Sequence, residues 1–177
     1  YATGQKVRIT NEAGGPVSDT RFLSTSSLNV WDESTTEFED AQLSTYAHAS
    51  IVDDLAASLD PDLPWIHTGL LQANVNINDV CNAFSDGDTI NFFRADENCE
   101  NTGRLADVVY HEYGHSLHRQ SLIPGVGSFE GALSEGYADF LAATITSDPG
   151  MGRGFFYSSE ALRELDPVGY EWHWPED

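Results

Sequence analysis

His111 and His115 stand four residues apart with Glu112 between them, and Glu135 follows 20 positions after the second histidine. Side chains four apart share one face of a helix. Both imidazoles can therefore reach one metal ion at about 2.0–2.1 Å from each nitrogen. Glu112 points to the side of that face, where a carboxylate can take a proton from activated water without binding the metal. The pattern is H-E-x-x-H, the chemistry of hydrolysis by metal-assisted water. Glu135 is the candidate third ligand, with the fourth position left to water.

The elements that must position these groups are legible around them. Leu105-Ala106-Asp107-Val108-Val109-Tyr110 reads as the apolar start of a buried helix. Two histidines and a glutamate in such a helix are costly unless something satisfies them. Gly114 costs about 1 kcal/mol in a helix interior, which points to close packing or to room for a ligand. A metzincin motif would continue with Gly at 118 and His at 121; these positions hold His118 and Ser121. Instead, Ser134-Glu135-Gly136-Tyr137-Ala138-Asp139 opens a second helical pattern, with Glu135 and Asp139 on one face. Asp139 can accept the free ring N–H of a zinc histidine and fix its tautomer. The competing reading makes all these groups the solvated face of an acidic helix.

The H-E-x-x-H, the spacing to Glu135 and the following E-x-x-x-D step resemble the gluzincin metallopeptidases of the thermolysin and fungalysin types. Asn82-Ala83-Phe84-Ser85-Asp86-Gly87 resembles the family's N-A-F-x-[DN]-G segment, and Ala41–Asp54, with Tyr46 and His48, resembles a helix of its N-terminal domain. Together these span about residues 40 to 147. The resemblance implies His111, His115 and Glu135 as zinc ligands and Glu112 as general base and proton shuttle. It implies Asp139 as the partner of a ligand histidine, by analogy His111, and Asn82 and Ala83 on an edge strand against substrate main chain. The implied fold is α+β: a thermolysin-like N-terminal lobe whose twisted mixed sheet packs on a zinc-binding active-site helix, followed by a second helix carrying the third ligand.

Three departures qualify it. The family's oxyanion-stabilising Tyr has no counterpart in Ser116–Ser134, and its oxyanion-stabilising His belongs to a C-terminal helical lobe. Tyr137, Tyr157 and His173 are the candidate donors here. Zn2+ is the expected cofactor. Ca2+ is kept as a second candidate because Asp107 matches a family calcium position, although Thr146 stands where the acidic partner would be. Asp86, Asp88, Asp96, Glu97 and Glu100 lack EF-hand spacing and read as a solvated acidic loop.

Charge bounds the partners. Lys and Arg number 8 against 29 Asp and Glu, giving a net charge of −21. Such a surface repels nucleic acid and anionic membranes, and no apolar run is long enough to cross a bilayer. A peptide or protein substrate is expected, with cationic or neutral peptides favoured over acidic ones. Cys81 and Cys99 are the only cysteines. Free thiols or a disulfide both satisfy the pattern; the flanking loop sequence and the extracellular family favour a disulfide in a secreted protein.

The chain is expected to be one metallopeptidase catalytic domain over 1–177. It comprises a strand-rich part with one long helix (1–103), the zinc-binding helices (104–147) and an irregular tail (148–177), and is expected to be either a compact variant of the family or, as favoured, a fragment of a longer precursor that carries a C-terminal helical lobe. Strands are expected at Lys6–Thr10, around Leu28–Trp31, at Val75–Ile77 and at Thr89–Phe93. A helical stripe runs through Leu43, Ala47, Ile51, Leu55 and Leu59 to a stop at Asp60-Pro61. Asn101 is the expected cap of the active-site helix. The helix from Glu130 to Thr146 is expected to turn Leu133, Tyr137, Phe140, Leu141 and Thr144 inward, and a short helix is expected at Ser158–Leu165. The function implied is a zinc-dependent endopeptidase. The alternatives are a catalytically impaired gluzincin-fold fragment serving as a zinc-binding structural module, and an aminopeptidase, for which no G-x-M-E-N-type anchor is visible.

Overall fold

The computed structural model describes Gly4 and residues 6–18 and 34–171. The strand expected around Leu28–Trp31 and the candidate donor His173 lie outside the described residues. In chain order the elements are β1 (Val7–Asn11), α1 (Glu37–Leu59), the short α2 (Pro64–Thr68), β2 (Leu71–Ile77), β3 (Ala83–Ser85), β4 (Thr89–Phe93), α3 (Ala106–Gln120), α4 (Gly131–Thr146), β5 (Gly150–Met151) and β6 (Arg163–Glu164).

The first four strands form one mixed sheet in the order β1-β2-β4-β3. β1–β2 and β2–β4 are parallel, whereas β3 is an antiparallel edge strand on β4, with Phe84 opposite Asn91. Alternation decides the faces. Leu71, Ala73 and Val75 of β2 and Ile90 and Phe92 of β4 are buried in the core shared with the helices. The opposite face carries an amide ladder. Gln72 donates to Thr10 Oγ1 and, at 3.0 Å, to Asn74 Oδ1. Asn74 Nδ2 donates to Asn91 Oδ1 at 2.7 Å, and Asn91 Nδ2 donates to the Phe84 carbonyl at 3.2 Å. This one chain of side chains links all four strands.

Thr36 caps α1 by accepting from the Glu39 amide, and acidic residues fill its first turn, where they complement the helix dipole. Its inward face is Ala41, Thr45, Ala49, Val52 and Ala56. This corrects the expected stripe: Leu43 and Leu55 are half-buried, and Ala47, Ile51 and Leu59 are exposed. Small residues win the inner face because the helix lies close on its neighbours. The Thr45 hydroxyl, for instance, donates to the Gly103 carbonyl at 2.8 Å.

Asn101 caps a one-turn 3-10 helix at Thr102–Arg104, accepting from the Gly103 amide at 3.1 Å, rather than α3 itself, which begins without a side-chain cap. Asp107 in the first turn of α3 accepts from the Gly152 amide at 2.6 Å and so ties the helix to the segment after α4. Glu130 caps α4 through the Ala132 and Leu133 amides. The buried face of α4 is Ser134, Ala138, Asp139, Leu141 and Ala142. Leu133, Phe140 and Thr144, expected inward, are exposed. The reason is Gly114: a Cβ added there would stand 2.8 Å from the Ala138 Cα. The helices meet nearly backbone to backbone at Gly114 and Ala138, where only small residues fit.

No helix forms at Ser158–Leu165. That stretch makes turns and then β6, which pairs with β5. Left-handed backbone at Gly152, Gly154 and Tyr157 (φ +75°, +89° and +55°) bends the chain back on itself instead. Among the described residues, no helix is long and apolar enough to cross a membrane.

Candidate metal centre

His111 and His115 project from one face of α3, and Glu135 faces them from α4. The two Nε2 atoms are 3.0 Å apart. Glu135 Oε2 is 3.3 Å from His111 Nε2, and Oε1 is 3.5 Å from His115 Nε2. Ligand atoms around a tetrahedral ion with bonds near 2.0–2.1 Å lie about 3.3 Å apart, so the three atoms already have the spacing of three corners. Among the described residues only one other group of His, Cys, Asp or Glu could hold an ion, Cys81–Asp96–Cys99, and its sulfurs are joined in a disulfide.

The far ring nitrogens are both engaged. His111 Nδ1 lies 2.7 Å from Asp139 Oδ1, and His115 Nδ1 lies 2.9 Å from Ser134 Oγ. A carboxylate at Nδ1 favours a proton there and leaves Nε2 with its lone pair turned inward. Two lone pairs facing each other at 3.0 Å repel unless a cation sits between them. Burial pulls His111 toward the neutral form, yet Asp139 and Glu112 outweigh it and hold its pKa above the ordinary value. Burial and His111 together lower that of His115. His115 is thereby kept neutral with its Nε2 lone pair available, and the three-atom donor set fits a zinc-type ion, with metal and proton in competition for it.

Glu112 is 5% exposed and its Oε2 has no hydrogen-bond partner. Burial, with Glu135 adding repulsion against the opposing pull of His111 and Arg163, raises its pKa to about 7. A buried orphan carboxylate poised near neutrality suits a group that alternately takes and gives a proton. Asp139 behaves oppositely. Burial disfavours its charge, but His111 and Arg163 hold its pKa well below the usual carboxylate range. Arg163 grips it with two bonds, Nε to Oδ2 at 2.8 Å and Nη2 to Oδ1 at 2.7 Å.

Arg163 and Ser134 are site residues that sequence reading missed. Ser134 had a signal, since it directly precedes Glu135 at the start of the same helix. Arg163 had none, because it approaches from the two-residue strand β6, 24 residues beyond Asp139.

These groups sit in a cleft of about 640 Å³. One wall is β3 and its turn, including Asn82 and Ala83; the other is formed by Met151, Gly152, Leu162 and Arg163. Glu135, with a side chain 61% exposed, lies toward the open side. Cys81 and Cys99 form the disulfide, tying the start of β3 to the loop before the 3-10 turn. Of the candidate oxyanion donors, Tyr157 instead donates to the Asp96 and Cys99 carbonyls at 2.7 and 2.8 Å, and Tyr137 packs with its ring 5.9 Å from His118. Neither lines the cleft. His118 also stacks on Phe129 and is not a fourth ligand. Asp107, the calcium candidate, has both oxygens engaged by the Val108 and Gly152 amides.

No protein-family model matches the sequence, and no curated protein matches it. A solved structure does match in fold: the precursor of protealysin, a metalloproteinase from Serratia proteamaculans, with a TM-score of 0.67 at 18% identity. The alignment covers 93% of this chain and 55% of that one, so the chain spans about half the length of its structural neighbour. At this identity the likeness is one of fold, and the fold that this chain shares is that of a metalloproteinase precursor.

Proposed function

We propose that the chain carries the zinc-dependent catalytic centre of a secreted gluzincin-type endopeptidase acting on peptides or proteins. The observation that carries this reading is the triangle of ligand atoms at 3.0–3.5 Å beside an orphaned, buried Glu112 carboxylate. A zinc ion bound there would polarise the scissile carbonyl and make water acidic enough to attack near neutral pH. Glu112 takes the proton from the attacking water and returns it to the leaving amine. Asp139 holds the His111 ring, and Arg163 keeps Asp139 ionised. Ser134 orients His115. Asn82 and Ala83, on the free edge of the sheet, offer backbone groups to an extended substrate. Arg163 brings a guanidinium to the cleft wall, where negative charge on the attacked carbonyl would be stabilised.

In this reading residues 1–177 act as one catalytic domain, and a further lobe of the precursor completes the cleft. The alternative, a zinc-binding module that no longer cuts, is favoured by one feature: among the described residues no tyrosine lines the cleft. The deciding experiment is hydrolysis of an internally quenched, end-blocked peptide by the zinc-loaded chain. Turnover that disappears in Glu112→Gln, with zinc content unchanged, supports the endopeptidase. One bound zinc with no turnover of any peptide favours the binding module.

A further inference from the structure

The two ends of the cleft differ in charge chemistry, and the difference comes from one side chain. At the Val108 end the wall is apolar, with Met151 and Leu162, and its one cation, Arg163, is held by both oxygens of Asp139. At the other end stands Arg119. It lies four residues after His115, so it continues the His111–His115 stripe of α3 by one more turn and lines the same cleft. Among the described residues no carboxylate lies within ion-pair distance of its guanidinium. The nearby Asp86 carboxylate is used locally, accepting from the Asp88 and Thr89 amides at 2.9 and 2.7 Å.

The stem of the side chain nevertheless packs on the chain. Its stem crosses Gly87, where an added Cβ would stand 2.8 Å from Nε. Gly87 has φ +96°, so the turn needs glycine for its backbone as well as for this space. The next residue, Gln120, fastens the end of α3 to the same turn, donating to the Gly87 carbonyl and to Asp88 Oδ1, both at 3.0 Å. The result is an exposed guanidinium at the cleft mouth, its stem laid against the Gly87 turn, with donors that no carboxylate of the described chain takes up.

We propose that Arg119 is a specificity-determining residue that selects an acidic side chain in the substrate. One helical turn is about 5.4 Å and an extended peptide advances about 3.3 Å per residue. The selected Asp or Glu therefore lies about two residues from the bond at the metal centre, on the side of the cleft away from Arg163. The overall charge of −21 argues for the opposite preference only at long range. It is screened beyond about 8–10 Å at moderate salt, whereas Arg119 acts in contact and can engage a carboxylate with two parallel hydrogen bonds. The proposal rests on the cleft being a peptide site.

The test has two arms. In the first, end-blocked quenched peptides carrying Glu, Gln or Lys at each position near the cleaved bond are hydrolysed by the zinc-loaded chain. In the second, fluorescence anisotropy measures binding of the same peptides to the zinc-loaded Glu112→Gln variant, which needs no turnover. At one position Glu should exceed Gln by about three- to tenfold, in the range of a partly exposed, well-oriented ion pair. The advantage should vanish in Arg119→Gln, turn toward Lys in Arg119→Glu, and shrink between 0.05 and 0.5 M salt. Equal handling of Glu and Gln at every position overturns the proposal, as does an advantage that survives Arg119→Gln. Selective binding without turnover in the unmutated chain would uphold Arg119 and remove the endopeptidase reading. Turnover without selectivity would do the reverse.

Discussion

Gly114 of α3 rests against Ala138 of α4, and this contact sets the distance across which Glu135 meets the two histidines. An added Cβ would stand 2.8 Å from the Ala138 Cα and 3.1 Å from its Cβ. Gly114→Ala gains about 1 kcal/mol of helix propensity but overpacks a rigid backbone contact, which costs about 1–3 kcal/mol. Net destabilisation is expected, together with zinc binding weakened by separation of the helices. Thermal unfolding with and without zinc checks both, and a variant more stable than the parent would show that the helices can yield.

Asp139→Asn removes the charge that fixes the His111 ring and strands the Arg163 guanidinium. Loss of such a partner lowers metal affinity by about 10- to 100-fold. Competition against a calibrated zinc chelator measures it. Unchanged affinity would mean that the ring is oriented by packing alone.

The Cys81–Cys99 disulfide closes a loop with a sequence separation of 18. Replacing both cysteines by serine should cost about 3 kcal/mol of stability. Hydrogen exchange should also quicken at the β3 amides, because Cys81 stands two residues before that strand. Denaturant unfolding combined with exchange mass spectrometry reads the two effects separately.

His48 gives the fold an acid-side weakness. Burial lowers its pKa below the ordinary 6.5, and its Nδ1 lies 2.7 Å from the Tyr110 hydroxyl. As pH falls through about 6.5 the unfolded chain takes up this proton before the folded chain does, so stability is present above that pH and is lost below it. The parent should therefore lose stability relative to His48→Gln as pH falls below the ordinary histidine pKa of about 6.5. Parallel stability–pH curves for the two proteins would contradict this.

The centre was legible because its geometry is local. The i, i+4 histidines need only a helix, and Glu135 needs only a second helix packed on the first. What sequence reading lost was helix rotation. Leu133 and Phe140 looked like core because they are apolar, yet burial of apolar residues is a one-way rule. Gly114 demanded a small residue, Ala138, where the helices cross, and the large residues Leu133 and Phe140 turned outward. In α1, Thr45 and the alanines displaced Ile51 and Leu59 in the same way. The turns at 152–157, with their left-handed backbone, broke the helix expected next, and the approach of Arg163 to Asp139 follows from that fold-back rather than from any periodicity.

The amide ladder from Thr10 through Gln72, Asn74 and Asn91 to the Phe84 carbonyl has a consequence for alignment. A strand of three residues with one paired edge holds its register weakly, and a one-residue slip reverses every side chain. In β3 that slip would swing Phe84 toward α3 and Ala83 and Ser85 away. Because Asn91 recognises one particular carbonyl, it works as a ruler laid across the sheet, and the cleft wall inherits its registration from the opposite edge of the molecule.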